Sequence, residues 1–152
     1  MRKTLLSILF VGFASASQAQ QAALPANVQS IVDRVMPQVV EWRRDFHQHP
    51  ELGNREFRTS GIVAEYLQYL GMEVRTEIAH TGVIGILRGG RPGPVVALRA
   101  DMDALPVVEQ VQLPFASIER TLYNGQDVGV MHACGHDNHV AILMGVASVM
   151  AQ

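Results

Sequence analysis

Apolar residues recur at helical spacing through Val28, Ile31, Val32, Val35, Met36, Val39, Val40 and Phe46, predicting an amphipathic helix that begins near Asn27. Pro37 lies within this run and should kink or break the helix. Pro50 disfavours helix at His49, so a turn follows in Phe46-His47-Gln48-His49-Pro50-Glu51-Leu52. A second stripe, Ile62, Val63, Tyr66, Leu67 and Leu70, predicts a helix capped by Asn54 and stopped at Gly71.

Beyond Gly71 the pattern changes to short strands. Glu73 to Ile78 alternates, Val83 to Leu87 is apolar, and the turn Gly89-Gly90-Arg91-Pro92-Gly93-Pro94 leads into Val95-Val96-Ala97-Leu98-Arg99-Ala100. Apolar strands between helices predict an α/β fold whose sheet is covered on both faces. The long stretch from Val107 to Met131 reads as irregular, and loops of that length are usually functional. The apolar run Val140 to Met150 predicts a buried helix, with Asp137 or Asn138 as its cap.

Composition narrows the function classes. Twelve basic and 14 acidic side chains give a formal charge of −2, which leaves no basic footprint for nucleic acid and no polybasic membrane patch. A hydrophobic content of 48% suits a globular core rather than a disordered tail. Met1-Arg2-Lys3-Thr4 followed by the apolar run Leu5 to Phe13 reads as a secretory leader, too short to be a stable membrane anchor. Small residues in Ser17-Gln18-Ala19 place cleavage after Ala19, with Ala14-Ser15-Ala16 as the alternative. The expected organisation is a leader at 1–19 and one domain portion at 20–152, exported to the periplasm or beyond. The final helix runs to the last residues without a stop signal, so the domain reads as truncated.

The candidate chemistry centres on Cys134, the single cysteine, inside His132-Ala133-Cys134-Gly135-His136-Asp137-Asn138-His139. A thiolate and an imidazole two residues apart on a glycine turn can aim sulfur and nitrogen at one ion. In an oxidising compartment a lone cysteine has no disulfide partner within the chain, and coordination gives it a role. Its place just before a helix, whose N-terminus is positive, favours the thiolate. A cysteine nucleophile with His132 or His136 as base is the competing reading. A second candidate is Asp101-Met102-Asp103, at the carboxyl end of the expected strand, where open α/β sheets gather their sites. One acid at most is expected to point into a given site, and a solvated turn capped by Asp103 fits the residue types equally well. His47 and His49 have ligand chemistry, but without a local thiolate or carboxylate cluster a turn role suits them better.

Three ordered motifs, Trp42-Arg-Arg-Asp-Phe-His-Gln-His-Pro-Glu-Leu52, Leu98-Arg-Ala-Asp-Met-Asp-Ala-Leu-Pro106 and Met131-His-Ala-Cys-Gly-His-Asp-Asn-His139, resemble the metal-dependent amidohydrolases. That group includes hippurate hydrolases, N-acyl-amino-acid aminoacylases and auxin-conjugate hydrolases. The resemblance runs from about Val28 to the last residue and corresponds to the first part of such an enzyme. It implies the N-terminal part of an aminopeptidase-like catalytic domain, with a mixed sheet between helices and two divalent ions. Zinc or manganese is the first expectation for those ions, with cobalt or nickel as alternatives.

By the same resemblance, Cys134 and His136 are metal ligands, Cys134 bridging the two ions, and Asp101 steadies the site from behind. This branch has Arg99 where relatives place a histidine ligand. His132, Asp137 and His139 lie in the motif as orienting residues, and Asn138 stands where glycine is frequent. The implied substrate is a small N-acyl amino acid. The implied catalytic glutamate, the remaining ligands and a lid domain that mediates dimerisation fall outside these residues, so the 152-residue chain is expected to bind metal weakly and to be inactive. A metal-binding module without catalysis is the alternative.

Overall fold

The computed structural model describes residues 24–152, which form three helices and two antiparallel strand pairs. The leader expected at 1–19 lies outside them. Helix α1 (Ala26–Gln48) is continuous through Pro37. Pro37 is exposed, and the carbonyl deprived of its donor belongs to Asp33, also exposed, so water can replace the lost bond. Burial of Val39 and Phe46 beyond the proline holds the rest of the helix in line. The helix ends as Pro50 requires, with His49 at φ −124°.

Helix α2 (Phe57–Tyr69) starts three residues past the expected cap. Asn54 instead takes a left-handed turn, φ 62°. The first-turn amides of Arg58 and Thr59 donate to the Glu51 carboxylate, at 2.9 and 2.8 Å, so a residue outside the helix performs the capping. Gly71, φ 78°, ends the helix as its sequence position predicts.

Helices and strands are mixed, as the pattern requires, but the strands form two separate pairs. Strand β1 (Glu73–Ile78) pairs antiparallel with β2 (Gly82–Ile86), Arg75 opposite Ile84, with a bulge before Ile78. Within the stretch expected to be irregular, β3 (Arg120–Tyr123) and β4 (Gln126–Gly129) form a hairpin. Asn124 and Gly125, φ 50° and 77°, make its two-residue turn, for which Asn-Gly is the favoured sequence. Val95–Ala100, expected as a strand, pairs with no other strand among the described residues, and Val95 and Val96 are 97% and 77% exposed. Its apolar pattern suits burial on two faces, yet a ladder also needs a neighbouring strand, and none of the described ones aligns with it.

The core lies between α1 and α3 (His136–Met150), where Phe46 and Val39 meet Val140, Ala141 and Met144, joined by Val63 from α2. A Cβ on Gly145 would stand 2.6 Å from Val39 Cγ2, so the helices approach too closely for a side chain there. Leu52, Ala104 and Val130 form a smaller cluster. Single bridges Leu52–Ala104 and Leu105–Met131 stitch the Asp101 segment between the turn after α1 and the entry to α3. That stitching delivers the Asp101–Asp103 segment to the histidine-rich turn.

Candidate metal centre

Helix α3 starts at His136, with Gly135 as its N-cap in the left-handed conformation, φ 80°. Glycine adopts that angle without steric cost. The cap expected at Asp137 or Asn138 is absent because Asp137 faces inward, 1% exposed, within the first turn. Cys134 stands exposed just before the turn. His136 Nδ1–H donates to the Asp103 backbone carbonyl at 2.9 Å and lies 3.0 Å from Asp103 Oδ1. Fixing one ring nitrogen in this way presents the other, Nε2, for coordination, the usual arrangement of a metal-bound imidazole. Soft sulfur beside imidazole, with a carboxylate behind the ring, fits a divalent ion such as zinc.

The carboxylate behind His136 therefore belongs to Asp103. Asp101, assigned that place by resemblance, pairs with the guanidinium of Arg99, and both side chains are well exposed. Residues 101 and 103 would share a face in an extended strand, but this segment is not a strand, and the two carboxylates part, Asp103 to His136 and Asp101 to Arg99.

His132 is 4% exposed and neither ring nitrogen has a hydrogen-bond partner. Burial pushes its pKa down to about 4, against the opposing attraction of Asp137, so the ring is neutral at neutral pH. His139 is exposed and lies beside His136, ring centroids 5.5 Å apart. Asp137 Oδ2 accepts from His47 Nδ1–H at 2.8 Å, and Arg43 Nε stands 2.9 Å away, an ion pair off the line of a hydrogen bond. His47 Nε2–H donates to Glu109 Oε2 at 2.9 Å. His47 is thus a buried linking residue in the last turn of α1, while His49 is partly exposed and 3.9 Å from Glu119.

The site brings Cys134, His136, His132 and Asp137 into one turn with Asp103 behind it, and leaves Asp101 outside. Among the described residues no three His, Cys, Asp or Glu side chains converge to hold an ion. Two roles do not follow from the sequence. The residue types leave open which acid of Asp101-Met102-Asp103 faces the site, and Glu109 is one acid in a loop with no pattern to single it out. A cleft lined by Phe57, Ser60, Gly61, Thr76, Glu77, His80 and Thr81 contains none of these groups.

The family model of peptidase family M20/M25/M40 matches residues 97–152, which hold Asp103, Cys134 and His136. Over those residues the chain is similar to that family. The chain is 44% identical over 125 residues to the N-acyl-L-amino acid amidohydrolase of Geobacillus stearothermophilus, covering 82% of this chain and 32% of that protein. Thermostable carboxypeptidase 1 of Saccharolobus solfataricus is 48% identical over 115 residues, 75% of this chain and 27% of its own length. The crystal structure of Bacillus subtilis YXEP, a dinuclear metal-binding peptidase from the M20 family, superposes with a TM-score of 0.67 at 39% identity, over 82% of this chain and 32% of that one. The mixed helix-and-sheet architecture is therefore that of the M20 fold. The chain spans about a third of the length of the relatives it matches. No helix of the described residues is long and apolar enough to cross a membrane.

Proposed function

We propose that this chain supplies one side of a two-metal hydrolase centre that cleaves the amide bond of small N-acyl amino acids. The observation that carries this reading is the orientation of His136, tied at Nδ1 to Asp103 and free at Nε2, two residues from the exposed thiol of Cys134. A divalent ion, when bound, acidifies water and polarises a carbonyl. Cys134 and His136 would hold it, and Asp103 keeps the imidazole in one tautomer and one direction. Buried, neutral His132 adds no positive charge that would compete with the cation. The dinuclear M20 relative and the amidohydrolase relative support two ions and an acyl-amino-acid substrate. Zinc or manganese best suits the donor set, and sulfur favours zinc.

A polypeptide that carries these residues within the full length of the relatives should hydrolyse hippurate or another N-acyl amino acid, lose activity to chelator and regain it with zinc, manganese, cobalt or nickel. The 152-residue chain should show no turnover, because two protein ligands fall short of the three that a catalytic site commonly provides. Activity that survives chelation but is lost to iodoacetamide would move the reaction to thiol chemistry at Cys134. No turnover with any of the four metals would sink the hydrolase reading.

Export belongs to the same proposal. Expressed in a bacterium, the protein should appear outside the cytoplasm with Gln20 as its first residue by mass spectrometry. An intact Met1 on cytoplasmic protein would contradict this.

A further inference from the structure

We propose that Glu109 and His47 are positioning residues for the Cys134–His136 pair, forming with Asp137 a buried carboxylate–imidazole–carboxylate clamp that fixes the start of α3. The inference rests on the metal reading of those two residues and goes beyond it, since neither Glu109 nor His47 reaches the ligands.

The geometry is a chain of short contacts through three separate segments. His47, in the last turn of α1, donates from Nδ1 to Asp137 Oδ2 at 2.8 Å and from Nε2 to Glu109 Oε2 at 2.9 Å. The imidazole thus lies between two carboxylates, one within hydrogen-bond distance of each ring nitrogen. Both carboxylates are nearly dry, with side-chain exposures of 1% for Asp137 and 3% for Glu109. Glu109 Oε2 also accepts the Ser117 backbone amide at 3.1 Å, and Ser117 Oγ–H donates to the Val130 carbonyl at 2.7 Å. The loop is thereby tied to the strand that enters the histidine-rich turn.

Asp137 is the residue after His136. Anchoring its carboxylate therefore fixes the rotation of the first turn of α3 about its axis, and with it the direction of the His136 ring and the Gly135 turn that carries Cys134. A second restraint, Asp103 on His136 Nδ1, acts on the ring itself. The first turn has few other ties. Asn138 and His139 donate their amides to the Gly135 carbonyl at 3.0 and 3.3 Å, with no side-chain cap. The clamp takes the place of that missing cap. Polar partners that orient ligands in this way typically govern metal affinity by about 10- to 100-fold when removed.

Glu109→Gln tests this without emptying the site, because glutamine keeps the volume and can still accept from Ser117 while removing the charge opposite His47. In the metal-free chain, amide exchange at Asn138 and His139 should quicken by about tenfold, with the later α3 amides up to Ala151 unchanged. Titrated with cobalt(II), the variant should keep the thiolate charge-transfer absorption but need about tenfold more metal to reach it. His47→Gln should behave alike, and serves if Glu109→Gln folds poorly. Unchanged exchange at Asn138 and His139, equal acceleration along all of α3, or parent-like cobalt affinity would each overturn the clamp. A parent chain that gives no cobalt–thiolate absorption would overturn the metal reading and this inference with it, whereas parent binding with an indifferent variant would overturn the inference alone.

Discussion

Asp137→Ala will destabilise the chain by about 3–5 kcal/mol, the usual cost of removing one partner from a buried ion pair. The carboxylate is 1% exposed and meets both His47 Nδ1–H and Arg43, so its loss leaves a buried imidazole donor and a guanidinium without an anion. Because small domains are stable by only about 5–15 kcal/mol, such a loss removes a large part of the total. Asp137→Asn keeps the shape and one acceptor oxygen, and should cost less, about 1–3 kcal/mol. Urea denaturation of the three proteins checks the order. An alanine variant within about 1 kcal/mol of the parent would mean that the network adds nothing to the fold, as exposed pairs often do.

Cys134→Ala will have the opposite profile, with little change in stability and a large loss of metal affinity. The thiol is exposed and packs against no core, so the fold does not depend on it. Four-ligand zinc sites bind with roughly 10–16 kcal/mol, about 3 kcal/mol for each ligand. Removing sulfur from a two-ligand pair should therefore weaken binding on the order of 100-fold. His136→Ala should lose a similar factor, and Asp101→Ala should lose almost none, because that carboxylate faces Arg99 and solvent rather than the ligands.

The contrast between these variants reflects what the sequence could and could not specify. Helical spacing through Val28, Val39 and Phe46 located α1, and Pro50 located its end, because both signals are local. Asn124-Gly125 marks a hairpin equally locally, but the surrounding stretch lacks the strong alternation that would identify its strands. Capping was harder to read. Glu51 reaches the α2 amides across a turn, which no cap preference foretells, and at α3 Gly135 takes the cap position in competition with Asp137 and Asn138, residue types equally favoured there. At the site, Cys134 and His136 were legible because ligand spacing on a turn is a sequence property. Which of Asp101 and Asp103 meets His136 depends on the irregular backbone between them, and the roles of His47 and Glu109 on contacts 90 and 62 residues apart along the chain. Tertiary contacts of that separation leave no periodic trace.

Cobalt(II) absorption is the most direct test of the central claim that Cys134 and His136 together face one metal ion. The metal-free chain, titrated with cobalt, should develop a thiolate-to-cobalt charge-transfer band that is weak in affinity but specific. The band should vanish in Cys134→Ala and require much more metal in His136→Ala, while Asp101→Ala follows the parent. No band in the parent, or a band that His136→Ala leaves at full affinity, would contradict the account.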